Sequence, residues 1–241
     1  MISEISTLSD RRLALLETLL VAALVTGGVT LASMFIPEKH IATAVGFIFL
    51  SATWALVWRR DDAVVEKSGL SFGGLVLPGK VDLPDVFRSA AVALAWAFAF
   101  AALTFAPFYF GWHWWWHPAM RFTIEVKPLP FANDAAGQLL MIALPEESFY
   151  RGYLQSRLDD VFTSRWNLAG ASVTPSIVIT SAIFALGHLA TVHDPSRLAV
   201  FFPSLVFGWL RARTKGVGAS IFFHAFCNIF SELLGRGFGL Y

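Results

Sequence analysis

Three short segments set ionisable or amide side chains into apolar surroundings: Glu146-Glu147-Ser-Phe-Tyr-Arg151, Phe184-Ala-Leu-Gly-His188 and His224-Ala-Phe-Cys-Asn228. Arg197 opens a further apolar run. A charge near the centre of a bilayer costs roughly 2.5–3.5 kcal/mol on insertion scales, so a chain that keeps these groups there has a use for them. Glu147 and Arg151 are four apart with the glutamate first, the favourable order for a helical pair. An unpaired partner in low dielectric would be costly, and this pair reads as architecture. Glu146 has no cation nearby in sequence. Apolar surroundings favour the neutral form of a carboxylate, and a carboxylate so poised can take a proton from water. Glu146 is therefore the candidate general base.

His188 follows Gly187, which lets another helix or a ligand approach closely. Alone it reads as a hydrogen-bonded structural histidine. Beside Glu146 it can help polarise one water molecule. His224 and Asn228 share a helical face, and two N–H donors aimed at one point can stabilise an oxyanion. The same pair could instead bridge helices.

Several apolar segments must position these groups. Residues 13–36 and 41–58 are long enough to cross about 30 Å of hydrocarbon, the first stopped at Pro37 and the second at Arg59-Arg60-Asp61-Asp62. Arg11-Arg12 before an apolar run resembles a signal peptide, yet the run is too long and lacks a small-x-small site, so an uncleaved span is expected. A polar loop over 59–84, a third span over 86–110 and an aromatic loop over 111–133 come next. Asn133-Asp134 would cap a helix starting at 135. The fourth span, 135–155, holds both glutamates, and Pro145 is expected to break it and begin a fresh segment. Spans over 173–190, 198–212 and 217–234 complete an all-α polytopic transmembrane bundle of about seven to eight helices.

The composition agrees: 56% of residues are hydrophobic and 15% charged, against roughly 25% charged in soluble domains. The net charge of +1 argues against a nucleic-acid partner. One cysteine, Cys227, excludes an internal disulfide and a CxxC metal site. The run Trp112-His113-Trp114-Trp115-Trp116-His117 suits a headgroup-level aromatic belt; as a metal pair, His113 and His117 have Pro118 following at once and no carboxylate close in sequence. With the N-terminus in the cytoplasm, twelve lysines and arginines fall inside and five outside, the asymmetry expected of that orientation.

The joint pattern EExxxR, FxxxH and HxxxN, each on an apolar segment, resembles the CPBP family of intramembrane glutamic proteases, which takes in CAAX prenyl endopeptidases and bacterial Abi proteins. The resemblance covers about 134–232, so 134–241 is expected to be the catalytic core and 1–133 a set of helices without a motif. It implies a peptide-bond hydrolase with Glu146 as base, assisted by His188. His224 and Asn228 would form the oxyanion site, Glu147 and Arg151 would hold the architecture, and Phe184 would shape the substrate groove. No cofactor or metal is implied. The expected partners are the bilayer and a peptide with a hydrophobic or lipidated segment, in a bacterial inner membrane. Three alternatives stand beside this: a zinc metalloprotease, a non-proteolytic peptide-binding or immunity protein, and a proton-coupled transporter, for which no inverted repeat is seen.

Overall fold

The computed structural model describes residues 7–79, 81–123 and 128–240. Lys80 and Lys127, both counted in the charge asymmetry, lie outside them. Helix α1 (Leu8–Phe35) starts at a capping box in which Thr7 and Asp10 satisfy each other's backbone N–H groups. Pro37 separates it from α2 (Glu38–Trp58), whose last five residues form a π-turn. A short α3 (Asp62–Lys67) leads to α4 (Leu83–Trp116), which carries Pro107 in its interior.

One nearly continuous helix, α5 (128–161), then carries both glutamates. A small hairpin, Trp166–Leu168 with Ala171–Val173, connects it to α6 (Ser176–Thr191). A 3-10 turn over Pro195–Val200 feeds α7 (Phe201–Thr214), and α8 (Gly218–Gly237) follows. The chain is an all-α helical bundle. Among the described residues three helices, α1, α2 and α4, are long and apolar enough to cross a membrane. At 16 residues, α6 rises only about 24 Å, short of the full hydrocarbon thickness.

The bundle exposes large apolar side chains and buries polar ones among its apolar core. On α1, Leu16, Leu20 and Leu24 are exposed while Thr18 is buried. Small residues let helices approach closely: Ala93, Ala97 and Ala101 form one buried stripe of α4 against Ala219 and Phe223 of α8.

Three expectations need correction. The α5 helix starts at Pro128, because prolines in a first turn lack only N–H groups that have no helical partner there; Asn133 and Asp134 lie inside it rather than capping it. Pro145 does begin a fresh α-turn, with Glu146 and Glu147 in it, but without interrupting the helix. A π-turn over Gln138–Ala143 precedes it and a second, Ser148–Gln155, follows the single α-turn Leu144–Glu147, so the wider loop absorbs the missing N–H. The helix α4 runs past 110 to Trp116, where His117 ends it in a left-handed conformation (φ 44°), so 111–116 is helix rather than loop. The hairpin had no NG or DG signal, its turn residues being Ala169 and Gly170, both at positive φ.

Gly46 of α2 lies against the first π-turn. A Cβ there would sit 2.7 Å from the Met141 carbonyl oxygen and 3.3 Å from Pro145 Cγ. Gly46→Ala is expected to lower thermal stability in detergent by about 1–3 kcal/mol through overpacking. Gly111→Ala, with open space around it, is expected to be neutral or slightly stabilising.

Candidate active site

Glu147 and Arg151 lie inside the bundle with no exposed side-chain surface, and Arg151 Nη1 donates to Glu147 Oε1 at 2.9 Å. The other end of the guanidinium reaches α7: Nη2 donates to the Ser204 carbonyl at 3.1 Å and to Ser204 Oγ at 2.5 Å. One turn on, Gln155 Nε2 donates to the Gly208 carbonyl at 3.0 Å. Two side chains four apart on α5 thus grip two backbone carbonyls four apart on α7. Aromatic rings close over the cation, with Arg151 Cζ 4.9 Å from the Phe184 ring centroid and 5.1 Å from that of Phe207.

Glu147 Oε1 has a second partner, His224 Nδ1 of α8, at 2.9 Å. A carboxylate already paired with a guanidinium is ionised and only accepts. Nδ1 of His224 therefore carries the proton and donates, which leaves Nε2 free. That nitrogen faces Glu146 Oε2 at 3.9 Å, beyond a direct hydrogen bond but a short gap between two polar atoms. Phe207 stacks on the imidazole, 4.9 Å between centroids and 15° between planes, and holds its orientation. The adjacent glutamates thus address opposite sides of one ring.

Glu146 is buried, and its Oε2 has no hydrogen-bond partner among the described residues. His188 Nδ1 lies 3.0 Å from the Phe184 carbonyl. A carbonyl can only accept, so this nitrogen too carries its proton, and Nε2 is an acceptor in the neutral ring. Among the described residues His188 and Glu146 share no direct hydrogen bond. The Phe184 ring is the hub, 4.4 Å from His188, 5.8 Å from His224 and 4.9 Å from Tyr150. It is only 1% exposed, so it acts from below the site. Arg197, on the 3-10 turn, is exposed, and its field reaches both Glu146 and His188.

Asn228 makes no direct hydrogen bond to Glu146, Glu147, His188 or His224 among the described residues. Its Nδ2 donates to Gln138 Oε1 of α5 at 3.0 Å, which leaves one further N–H. Sequence reasoning missed Ser204, Phe207 and Gln138. A serine, a phenylalanine and a glutamine in apolar helices give no local signal of cross-helix pairing. Among the described residues no group of three or more His, Cys, Asp or Glu side chains could hold a metal ion.

Residues 128–230 match the family model of the type II CAAX prenyl endopeptidase Rce1-like proteins. The match opens at the first residue of α5 and runs through α6 and α7 into α8, so it takes in every motif residue. No curated protein and no solved structure matches the chain. The matched segment is thus similar to a family of endopeptidases, and it follows three helices that are, among the described residues, long and apolar enough to cross a membrane.

Removing one member of a buried pair strands the other, typically at about 3–5 kcal/mol. Arg151→Met is expected to lose that much in a detergent melt. The double variant Glu147→Leu/Arg151→Met should regain part of it. It should remain inactive, because His224 then has no acceptor at Nδ1.

Proposed function

We propose that the protein hydrolyses a peptide bond within the membrane using water activated by Glu146, on a membrane-anchored or C-terminal-signal peptide with a hydrophobic or lipidated segment. The observation that carries this reading is Glu146 Oε2, buried without a hydrogen-bond partner among the described residues and 3.9 Å from the free nitrogen of His224. The Rce1-like match supports the substrate class.

In the proposed reaction a water bonds to Glu146, with His188 Nε2 as an acceptor for its second proton. The water oxygen forms a bond to the scissile carbonyl carbon while Glu146 takes its proton. The carbonyl π pair moves onto oxygen. Asn228 offers one N–H to that oxyanion. His224, having taken a proton from solvent at Nε2 before the step, donates that N–H to the oxyanion and keeps the proton throughout, with the Glu147 carboxylate at Nδ1 balancing its charge. As the C–N bond breaks, the proton on Glu146 passes to the leaving nitrogen. The products are a carboxyl terminus and an amine, and no covalent enzyme intermediate forms. On the asymmetry of basic residues, the same reading has the enzyme in a bacterial inner membrane with its N-terminus in the cytoplasm.

The test is near-isosteric. Glu146→Gln should accumulate normally in the membrane and lose about 10²–10⁴ in kcat, the usual contribution of general-base catalysis. Asn228→Ala should lose about 10²–10³ in kcat, as for one oxyanion donor. A single turnover in H₂¹⁸O should put the label in the new carboxyl group. A mild Glu146→Gln phenotype would mean peptide binding without cleavage. Loss of activity to a strong chelator, restored by zinc, would make Glu146 a metal ligand instead.

A further inference from the structure

Beyond the cluster around His224, a second line of polar side chains links α5 to α8. Gln138 Nε2 donates to Glu232 Oε2 at 3.3 Å, and Gln138 Oε1 accepts from Asn228 at 3.0 Å. Glu232 pairs with Arg236 one turn along α8, and Arg236 Nη1 reaches Asp134 Oδ2 of α5 at 3.2 Å. Arg236 and Asp134 are about half exposed, Glu232 is 26% exposed, and Gln138 and Asn228 are half-buried. The line therefore runs inward from the exposed end of the helix pair.

The direction of each bond follows from chemistry. Glu232, paired with a guanidinium, is an ionised acceptor. Gln138 must turn its NH₂ toward Glu232, and its carbonyl oxygen then faces Asn228. Asn228 must in turn offer its NH₂ to Gln138. An amide that could sit in two orientations is left with one. The starting point is a carboxylate that no pocket residue touches.

We propose that Gln138 and Glu232 are positioning residues that set the orientation of the Asn228 carboxamide. Glu232 acts only through Gln138, and Gln138 only through Asn228. The proposal rests on Asn228 serving the hydrolase reading as an oxyanion donor, but the orientation itself does not depend on turnover. Neither residue belongs to the EExxxR, FxxxH or HxxxN patterns. Gln138 also opens the π-turn ahead of Pro145, so the irregular backbone that carries Glu146 carries the Asn228 anchor as well.

Two measurements decide it. Gln138→Leu should lower kcat on a cleavable membrane peptide about 10- to 100-fold with KM unchanged, a part of the loss expected for an oxyanion donor. Glu232→Gln, which can donate as well as accept, should lose less. In an Asn228→Ala background Gln138→Leu should cost nothing further; a full multiplicative loss there overturns the proposal.

The second measurement needs no activity. The chain holds three asparagines, Asn133, Asn167 and Asn228, so ¹⁵N-asparagine labelling yields few side-chain amide signals, with that of Asn228 identified by its loss in Asn228→Ala. Gln138→Leu and Glu232→Gln should each shift the Asn228 pair and speed its exchange with water, leaving Asn167 in the distant hairpin unmoved. An Asn228 pair unchanged in both variants overturns the proposal. Absence of cleavage by the wild type would overturn the hydrolase reading alone, and the labelling result would still decide the orientation.

Discussion

The buried ion pair between Glu147 and Arg151 is the constraint on which the rest of the interior is built. Taking two charges out of water costs several kcal/mol each even after relaxation, and attraction offsets this only when the remaining donors and acceptors are also satisfied. Here the groups that satisfy most of them come from other helices, while Glu147 Oε2 and Arg151 Nε have no hydrogen-bond partner among the described residues. The guanidinium takes a carbonyl and a hydroxyl from Ser204 on α7, and the carboxylate takes the Nδ1 proton of His224 on α8. Three helices are therefore held in register by the cost of leaving either charge unpaired. Phe184 and Phe207 exclude water from the pair and lie against the same imidazole.

Backbone irregularity is concentrated where that register has to be set. The two π-turns of α5 flank the four residues Leu144–Glu147. Such turns shift the side chains beyond them relative to a regular helix. Close approach on either side depends on missing side-chain volume. Gly46 lets α2 sit against the first π-turn, and at Gly152 an added Cβ would lie 2.5 Å from Leu70 Cδ1. Leu70 belongs to the loop after α3, which bends back into the core. The N-terminal helices carry no motif, yet they support the segment that does.

What could be read in the sequence was what is local along one helix. The Glu147–Arg151 pair followed from a spacing of four, and the apolar helices from run length. The division between the two glutamates followed from their adjacency, since neighbouring helical residues point about 100° apart. What could not be read was pairing between helices. Nothing near Glu147 announces His224, 77 positions away, and nothing near Asn228 announces Gln138. Pro145 misled for a physical reason. Its missing N–H breaks a regular α-helix, but a π-turn absorbs it when neighbouring helices hold the chain straight. Asn133 and Asp134 are good caps only if a helix ends there, and the prolines upstream allow it to continue.

The two glutamates gain their separate characters from a single ring. His224 offers one nitrogen to each, at 2.9 Å to Glu147 and 3.9 Å to Glu146. Because Glu147 is already committed to Arg151, its carboxylate sets the tautomer at Nδ1, and the nitrogen facing Glu146 is left as an acceptor. The imidazole therefore cannot donate to Glu146 without first gaining a proton, and when it does the charge is balanced from behind by Glu147. A carboxylate facing a neutral acceptor has no ion pair to break before it reacts, whereas its neighbour in sequence has two partners to lose. The physical difference between a structural and a reactive glutamate is thus one of prior commitment, with burial common to both.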